Sequence, residues 1–149
     1  MDEHIPPMQR ALALAAEAAA AGEIPVGCII TDETGEVIGL GRNRREESHD
    51  ATAHAEVEAI RMACRHKKDW RLSDCTLYVT LEPCPMCAGA ILNARIPRIV
   101  YGAREEKTGS CGSVIDLFTE DYGFRPRVYG GVLKDDCAGA LRDFFDKLR

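Results

Sequence analysis

The sequence predicts an α/β protein, a three-layer α/β/α sandwich built on a five-stranded mixed sheet. Three observations lead there. Short apolar runs of β type alternate with longer helix-forming runs along all 149 residues, a pattern that packs helices on both faces of one sheet. The first two strand-type runs are joined by the turn Asp32-Glu33-Thr34-Gly35, which reads as a hairpin. No internal repeat and no linker interrupts the chain, so residues 1–149 read as a single domain, long enough to bury a real core.

The elements follow in order. Ile5 to Ala21 is alanine-rich and ends at Gly22, which reads as a first helix with Ile5, Met8, Leu12 and Ala16 on its core face. Pro25 to Asp32 and Glu36 to Gly41 are the hairpin strands. Residues 42–52 are polar and read as a loop. Thr52 or Ala53 opens a second helix to about Arg65, with Thr52 as its expected N-cap. Asp74 to Thr80 is a third strand and Pro85 to Ala94 a third helix, with proline suited to the first helical position. Arg98 to Gly102 is a fourth strand. Residues 104–113 are rich in small polar residues and read as a loop, and Val114 to Phe118 as a short helical turn. A fifth strand falls within Arg127 to Leu133. Asp135 to Lys147 closes the series, with Leu141, Phe144, Phe145 and Leu148 as an apolar side.

Composition narrows the class. Apolar content of 46% and charged content of 29% suit a soluble globular protein. No apolar run reaches the ~18 residues of a membrane span. Ala11–Ala21 has the composition of a signal-peptide core, but Glu17 interrupts it and the preceding Met1-Asp2-Glu3-His4 is acidic. Seven cysteines at 28, 64, 75, 84, 87, 111 and 137 form an odd, irregular set. That is a poor disulfide framework and suits a reducing cytoplasm. A net charge of −5 gives no global attraction to nucleic acid, so RNA binding requires a local basic patch.

Chemistry concentrates in Thr80-Leu81-Glu82-Pro83-Cys84-Pro85-Met86-Cys87. Cys84 and Cys87 stand at a strand-to-helix turn. Residues three apart share a helix face, and a helix N-terminus favours thiolates. Two converging thiolates suit a borderline metal, foremost Zn²⁺. Alone, Cys-x-x-Cys also fits a thioredoxin-like redox pair, or a closed structural zinc with Cys64 or Cys111 as fourth ligand. Upstream, however, stands His54-Ala55-Glu56. His54 completes three protein ligands, the layout of a catalytic zinc, and Glu56 is a carboxylate available for proton transfer. Positions i and i+2 lie about 200° apart on a helix. His54 and Glu56 can therefore serve one pocket only from a helix start.

His-x-Glu followed by Pro-Cys-x-x-Cys resembles the signature of the zinc-dependent nucleobase deaminases. Within that superfamily the chain is similar to the tRNA-specific adenosine deaminases. The resemblance extends through Gly22-Glu23-Ile24-Pro25-Val26-Gly27, Gly41-Arg42-Asn43-Arg44, Leu77 to Gly89, and Val100 to Gly109. It implies the cytidine-deaminase-like sandwich and one Zn²⁺ per chain on His54, Cys84 and Cys87. It implies Glu56 as proton carrier and hydrolytic conversion of adenosine to inosine at the wobble position of a tRNA anticodon. Asn43, Val26, Ala55 and Glu105 are then the expected substrate contacts, with Ile24 beside Val26 as an apolar wall. Arg42, Arg44, Arg45, Lys67, Lys68, Arg104 and Lys107 are the expected phosphate contacts, and Phe144 and Phe145 an aromatic pair facing RNA. A homodimer is expected on the same ground. The tRNA-editing members usually carry Asp at the position of Glu105. The same metal chemistry also serves a free base such as guanine or cytosine, which is the alternative substrate class.

Overall fold

The computed structural model describes residues 2–148. After a single 3₁₀ turn at Asp2–His4 the elements are α1 (Ile5–Ala20), β1 (Gly27–Thr31), β2 (Val37–Arg42), α2 (Ala55–Lys67), β3 (Thr76–Leu81), α3 (Pro85–Ala94), β4 (Arg98–Ala103), β5 (Arg127–Tyr129) and α4 (Lys134–Lys147). A second 3₁₀ turn, Leu117–Thr119, precedes β5. It lies three residues beyond the start of the helical turn expected at Val114.

The strands form one mixed sheet in the order β2-β1-β3-β4-β5. β1 is antiparallel to both β2 and β3, while β3, β4 and β5 run parallel. Alternation along the central strands divides the core in two. Cys28, Ile30, Leu77, Val79 and Ile99 pack with Ala55, Ala59, Ala63, Ala88 and Ile91 of α2 and α3. Ile29, Tyr78 and Val100 face the other way, onto Met8 and Ala11 of α1 and Cys137 of α4. Successive strand residues point to opposite faces, so one sheet with apolar residues on both sides demands helices on both. The fold is the α/β/α sandwich that the sequence predicts.

Two local expectations are corrected. The core face of α1 is Met8, Ala11, Ala15 and Ala18, whereas Ile5 and Leu12 are half-buried and Ala16 is exposed. Small residues make the contact because α1 lies almost on the sheet. A Cβ at Gly27 of β1 would stand 1.9 Å from the Ala11 carbonyl oxygen, so only glycine fits there. Thr52 is not the N-cap of α2. Its backbone N–H and hydroxyl both donate to Asp50 Oδ1, at 2.8 and 2.7 Å, closing a turn upstream. The residue at the N-cap position is His54.

Candidate active site

The two helices that frame the site begin beside it. His54, with φ −82° and ψ 155°, is extended and precedes α2. Cys84, with φ −76° and ψ 172°, does the same before α3, and Pro85 and Cys87 occupy the first turn. Because His54 lies outside the helix while Glu56 lies within its first turn, the 200° separation of an ideal helix does not apply to the pair. Both helix N-termini point partial positive charge toward the same spot.

His54, Cys84 and Cys87 form the one group among the described residues whose ligand atoms, at most 4.8 Å apart, suit a metal ion. His54 Nδ1 lies 3.6 Å from Cys84 Sγ and 3.5 Å from Cys87 Sγ. Tetrahedral zinc, with bonds of about 2.05 Å to nitrogen and 2.3 Å to sulfur, sets that spacing at about 3.6 Å. The donor set therefore fits one zinc ion, with three protein ligands rather than four. Cys64 stands elsewhere, its thiol directed at the Trp70 carbonyl oxygen at 3.6 Å.

Charge is distributed unevenly over these groups. Hydrogen bonding from Cys87, aided by His54, pulls the Cys84 thiol down to about 4, against the effect of burial. Cys87 moves the other way, raised by its bond to Cys84 and by burial. The bond to Cys84 raises His54. Glu56 is 4% exposed. Burial, reinforced by the nearby Cys84 charge, pushes its carboxyl up to about 7. A carboxyl held near neutrality can both accept and release a proton at physiological pH.

These groups open into a cavity of about 290 Å³. His54, Ala55, Glu56 and Cys84 form its floor, with Ile24, Val26 and Leu81 as apolar lining and Asn43, Arg45, Glu105, Lys107 and Thr108 at the sides. All the expected substrate contacts, Asn43, Val26, Ala55 and Glu105, therefore share one cavity with Glu56 and two of the three metal donors. Cys87 is fully buried beneath them. Asn43 Oδ1 accepts the Arg45 backbone N–H at 3.1 Å. That leaves the Asn43 amide NH₂ as the donor on offer to a ligand.

Other expected contacts separate. Arg45 and Lys107 line the cavity. Arg42 and Arg44 lie in the adjoining segment and pair with Glu47. Lys67 and Lys68 stand at the far end of α2, about 20 Å from His54 at 1.5 Å per residue, and Lys67 is bound to Asp74 at 2.6 Å. They are not at the pocket mouth. Phe144 and Phe145 contact edge to face, with centroids 5.4 Å apart. Two buried carboxylates went unread in the sequence, Glu23 and Glu82, because their partners are backbone amides distant along the chain.

A donor triad at two helix starts, beside a buried carboxylate in a pocket sized for one small ring system, defines a hydrolytic metalloenzyme centre. Comparison with known proteins narrows it. The zinc-binding region of cytidine and deoxycytidylate deaminases matches residues 1–103. The tRNA-specific adenosine deaminase of Streptococcus pyogenes is 47% identical over 139 residues, 93% of this chain and 87% of that protein. The chain belongs to the cytidine and deoxycytidylate deaminase family. The tRNA(Ile)-lysidine synthase of Deinococcus radiodurans is 50% identical over 142 residues, 95% of this chain, but the chain spans only 24% of that protein's length. A structure from work on A-to-I editing by tRNA:A34 deaminases at the wobble position of transfer RNA superposes with a TM-score of 0.86, at 42% identity, over 91% of this chain and 98% of that one. A guanine deaminase from Bacillus subtilis superposes less well, with a TM-score of 0.64 at 46% identity, over 68% of this chain and 64% of that one.

Proposed function

We propose that this chain is a hydrolytic deaminase carrying one zinc ion on His54, Cys84 and Cys87, and that it converts adenosine to inosine at the wobble position of a tRNA anticodon. The observation that carries the reading is the position of Glu56, buried with a raised pKa in the same cavity as the metal donors. When bound, zinc supplies Lewis-acid activation of a water molecule near neutral pH. Glu56 would take a proton from the attacking water and deliver it to the ring nitrogen, then carry a second, from the hydroxyl added to the ring carbon, to the amine that leaves as ammonia. Ile24 and Val26 bracket the base from the apolar side, and Ala55 lies against its edge. The Asn43 amide donates to the nucleoside. Glu105, one methylene longer than the aspartate usual in tRNA-editing relatives, contacts the nucleotide from the loop after β4.

Substrate class rests on the similarity to tRNA-specific adenosine deaminases and on local charge. The chain carries −5 overall, yet Arg45 and Lys107 stand at the cavity and Arg42 and Arg44 beside it. Phosphates flanking an extruded base meet cations there, and an unpaired loop base is the cheaper one to extrude. A homodimer and a cytoplasmic location belong to the same reading. Exposed apolar side chains, Met86, Val114 and Ile115 among them, offer surface for a second copy. All seven cysteines are free, as a reducing compartment requires. No helix among the described residues is long and apolar enough to cross a membrane.

The test is inosine formation on a synthetic anticodon stem-loop with adenosine at the wobble position, run beside guanine, cytosine and free nucleosides. Inosine in the stem-loop alone is the expected outcome. Turnover of a free base beside an inert stem-loop overturns the substrate and leaves the hydrolytic chemistry standing. Sedimentation velocity reads the oligomeric state, and a purely monomeric protein counts against the tRNA substrate.

A further inference from the structure

Two buried carboxylates, Glu82 in the pocket lining and Glu23 next to Ile24 of that lining, take no part in the chemistry above. Glu82, 2% exposed, follows β3 and precedes the metal-binding turn. Its Oε1 accepts the Glu105 backbone N–H at 3.0 Å and the Ser113 hydroxyl. Its Oε2 accepts the backbone N–H groups of Cys111 at 2.8 Å and Ser113 at 3.2 Å. Ser113 Oγ in turn accepts Arg104 Nε at 3.1 Å. Backbone bonds flank the cluster, from Glu82 N–H to the Ala103 carbonyl and from Ser110 N–H to the Pro83 carbonyl, both 2.8 Å. Gly109 leaves room for it, since a Cβ there would stand 2.4 Å from Glu82 Cδ. The tethered segment is the loop after β4, which carries Glu105, Lys107 and Thr108 into the pocket.

Glu23, 1% exposed, makes the matching arrangement after β2. It accepts the backbone N–H of Glu46 at 3.1 Å and of Glu47 at 2.7 Å. That loop carries Asn43 and Arg45 into the pocket. In the sheet order β2-β1-β3-β4, the loops after β2 and β4 stand on opposite sides of the central pair. Neither carboxylate forms an ion pair among the described residues. A buried anion without a counter-cation is costly unless its acceptor sites are filled, and here loop N–H groups and one hydroxyl fill them.

We propose that Glu82 and Glu23 are positioning residues, each holding one of the two loops that wall the pocket and so fixing the side chains that meet the substrate. Glu105 and Lys107 depend on Glu82, and Asn43 and Arg45 on Glu23. The inference rests on the deaminase reading for the identity of the substrate, but its structural half is independent of it. Glutamine at position 82 keeps shape and one acceptor. Its oxygen satisfies Cys111 and Ser113, its NH₂ meets the Ser113 hydroxyl, and the Glu105 N–H is left without an acceptor. The pocket-facing limb is released while the rest of the loop stays tied.

The experiment compares wild type with Glu82→Gln and Glu23→Gln in zinc content, steady-state kinetics on the anticodon stem-loop, and residue-resolved amide exchange. Walls that bind ground state and transition state alike appear in KM. KM is expected to rise about ten- to a hundredfold, with kcat within about threefold, the size of a lost charge-assisted hydrogen bond made equally in ground and transition states. One zinc per chain is retained. In Glu82→Gln the Glu105 amide exchanges faster and the Cys111 amide does not. Wild-type KM in both variants overturns the proposal. So does a fall in kcat with zinc content at unchanged KM, the signature of a role in folding only. If Glu82→Gln does not fold, Ser113→Ala removes one bond and is expected to raise KM less. If wild-type protein leaves the stem-loop untouched, the functional reading fails, and the Glu105 exchange rate alone decides the positioning role.

Discussion

His54 and Glu56 are two residues apart and reach one pocket from different backbone conformations because a helix begins between them. The break from extended backbone at His54 to helix at Ala55 aims the imidazole at Cys84 and Cys87 and keeps Glu56 in the first turn. Glu56→Gln keeps volume and removes the titrating carboxyl. Zinc is expected to stay at one per chain while turnover falls at least about 10³-fold, toward the upper range for a lost acid–base group. Metal analysis and inosine assays on the same preparation check this, and retained turnover rejects the proton-carrier role. That His54, Cys84 and Cys87 would converge with Glu56 beside them was legible in the sequence, because a thiolate pair three apart and a His-x-Glu step point to one site. Glu82 was not legible. What it does is accept hydrogen bonds from Glu105, Cys111 and Ser113, and a backbone amide carries no residue signature. Thr52 misled for a related reason. Its hydroxyl serves equally as a helix cap or in a local turn, and Asp50 settles the choice.

The metal site is set by how closely α2 lies on β2. The contact is glycine against alanine: Gly39 and Gly41 on one side, Ala55, Ala59 and Ala63 on the other. A Cβ at Gly41 would stand 2.1 Å from the Ala55 carbonyl oxygen and 2.7 Å from the Ala59 nitrogen. Those are backbone atoms, so the helix itself must move. Gly41→Ala is expected to cost about 1–3 kcal/mol, or several degrees of Tm for a domain of this size. It also lifts the end of α2 that bears His54, so zinc affinity falls with stability. A lowered Tm with unchanged zinc affinity rejects the second half of that prediction. The strands and helices were read correctly because their apolar patterns are strong, whereas the buried face of α1 was misread. Large apolar residues usually mark the core face, but at Gly27 the sheet admits the helix so closely that Ala11 and Ala15 make the contact instead. Zinc would join the heads of α2 and α3, two elements that also share one apolar cluster. Chelation is expected to lower Tm by roughly 10 °C, the effect of removing a ligand present at about a thousand times its Kd. Added zinc restores it, and His54→Ala shows no chelator response. Melting with and without chelator checks all three.

The molecule carries seven free thiols and no disulfide, and the buried thiols away from the His54 and Cys84 contact lower its stability at alkaline pH. Cys75 is fully buried, and burial together with neighbouring Asp74 pushes its thiol up to about 12. Cys137, 1% exposed, reaches about 12 through burial and Asp136. Burial also raises Cys28 and Cys111. In the unfolded chain a thiol loses its proton near 8.5. Between roughly 9 and 12, then, the unfolded state has released protons that the folded state retains. The unfolded chain binds fewer protons, so stability falls as pH rises. The contribution is complete below the unfolded pKa and lost on the way to the folded one. Each thiol adds up to about 1.4 kcal/mol per pH unit to that slope. Urea midpoints measured under reductant from pH 8 to 10.5 are expected to be flat at first and then to drop. The double variant Cys75→Ala/Cys137→Ala removes two of the contributions. It starts less stable, because two buried side chains are truncated, and loses stability less steeply above pH 9. An alkaline limb of equal slope in both proteins places the titration elsewhere and rejects the assignment. The acidic surface is a poor rival explanation: side chains already ionised at pH 8 bind no further protons in either state, and their repulsion is screened within about 10 Å at 0.1 M salt. Repeating the series in high salt leaves the thiol slope in place and removes what surface repulsion contributes.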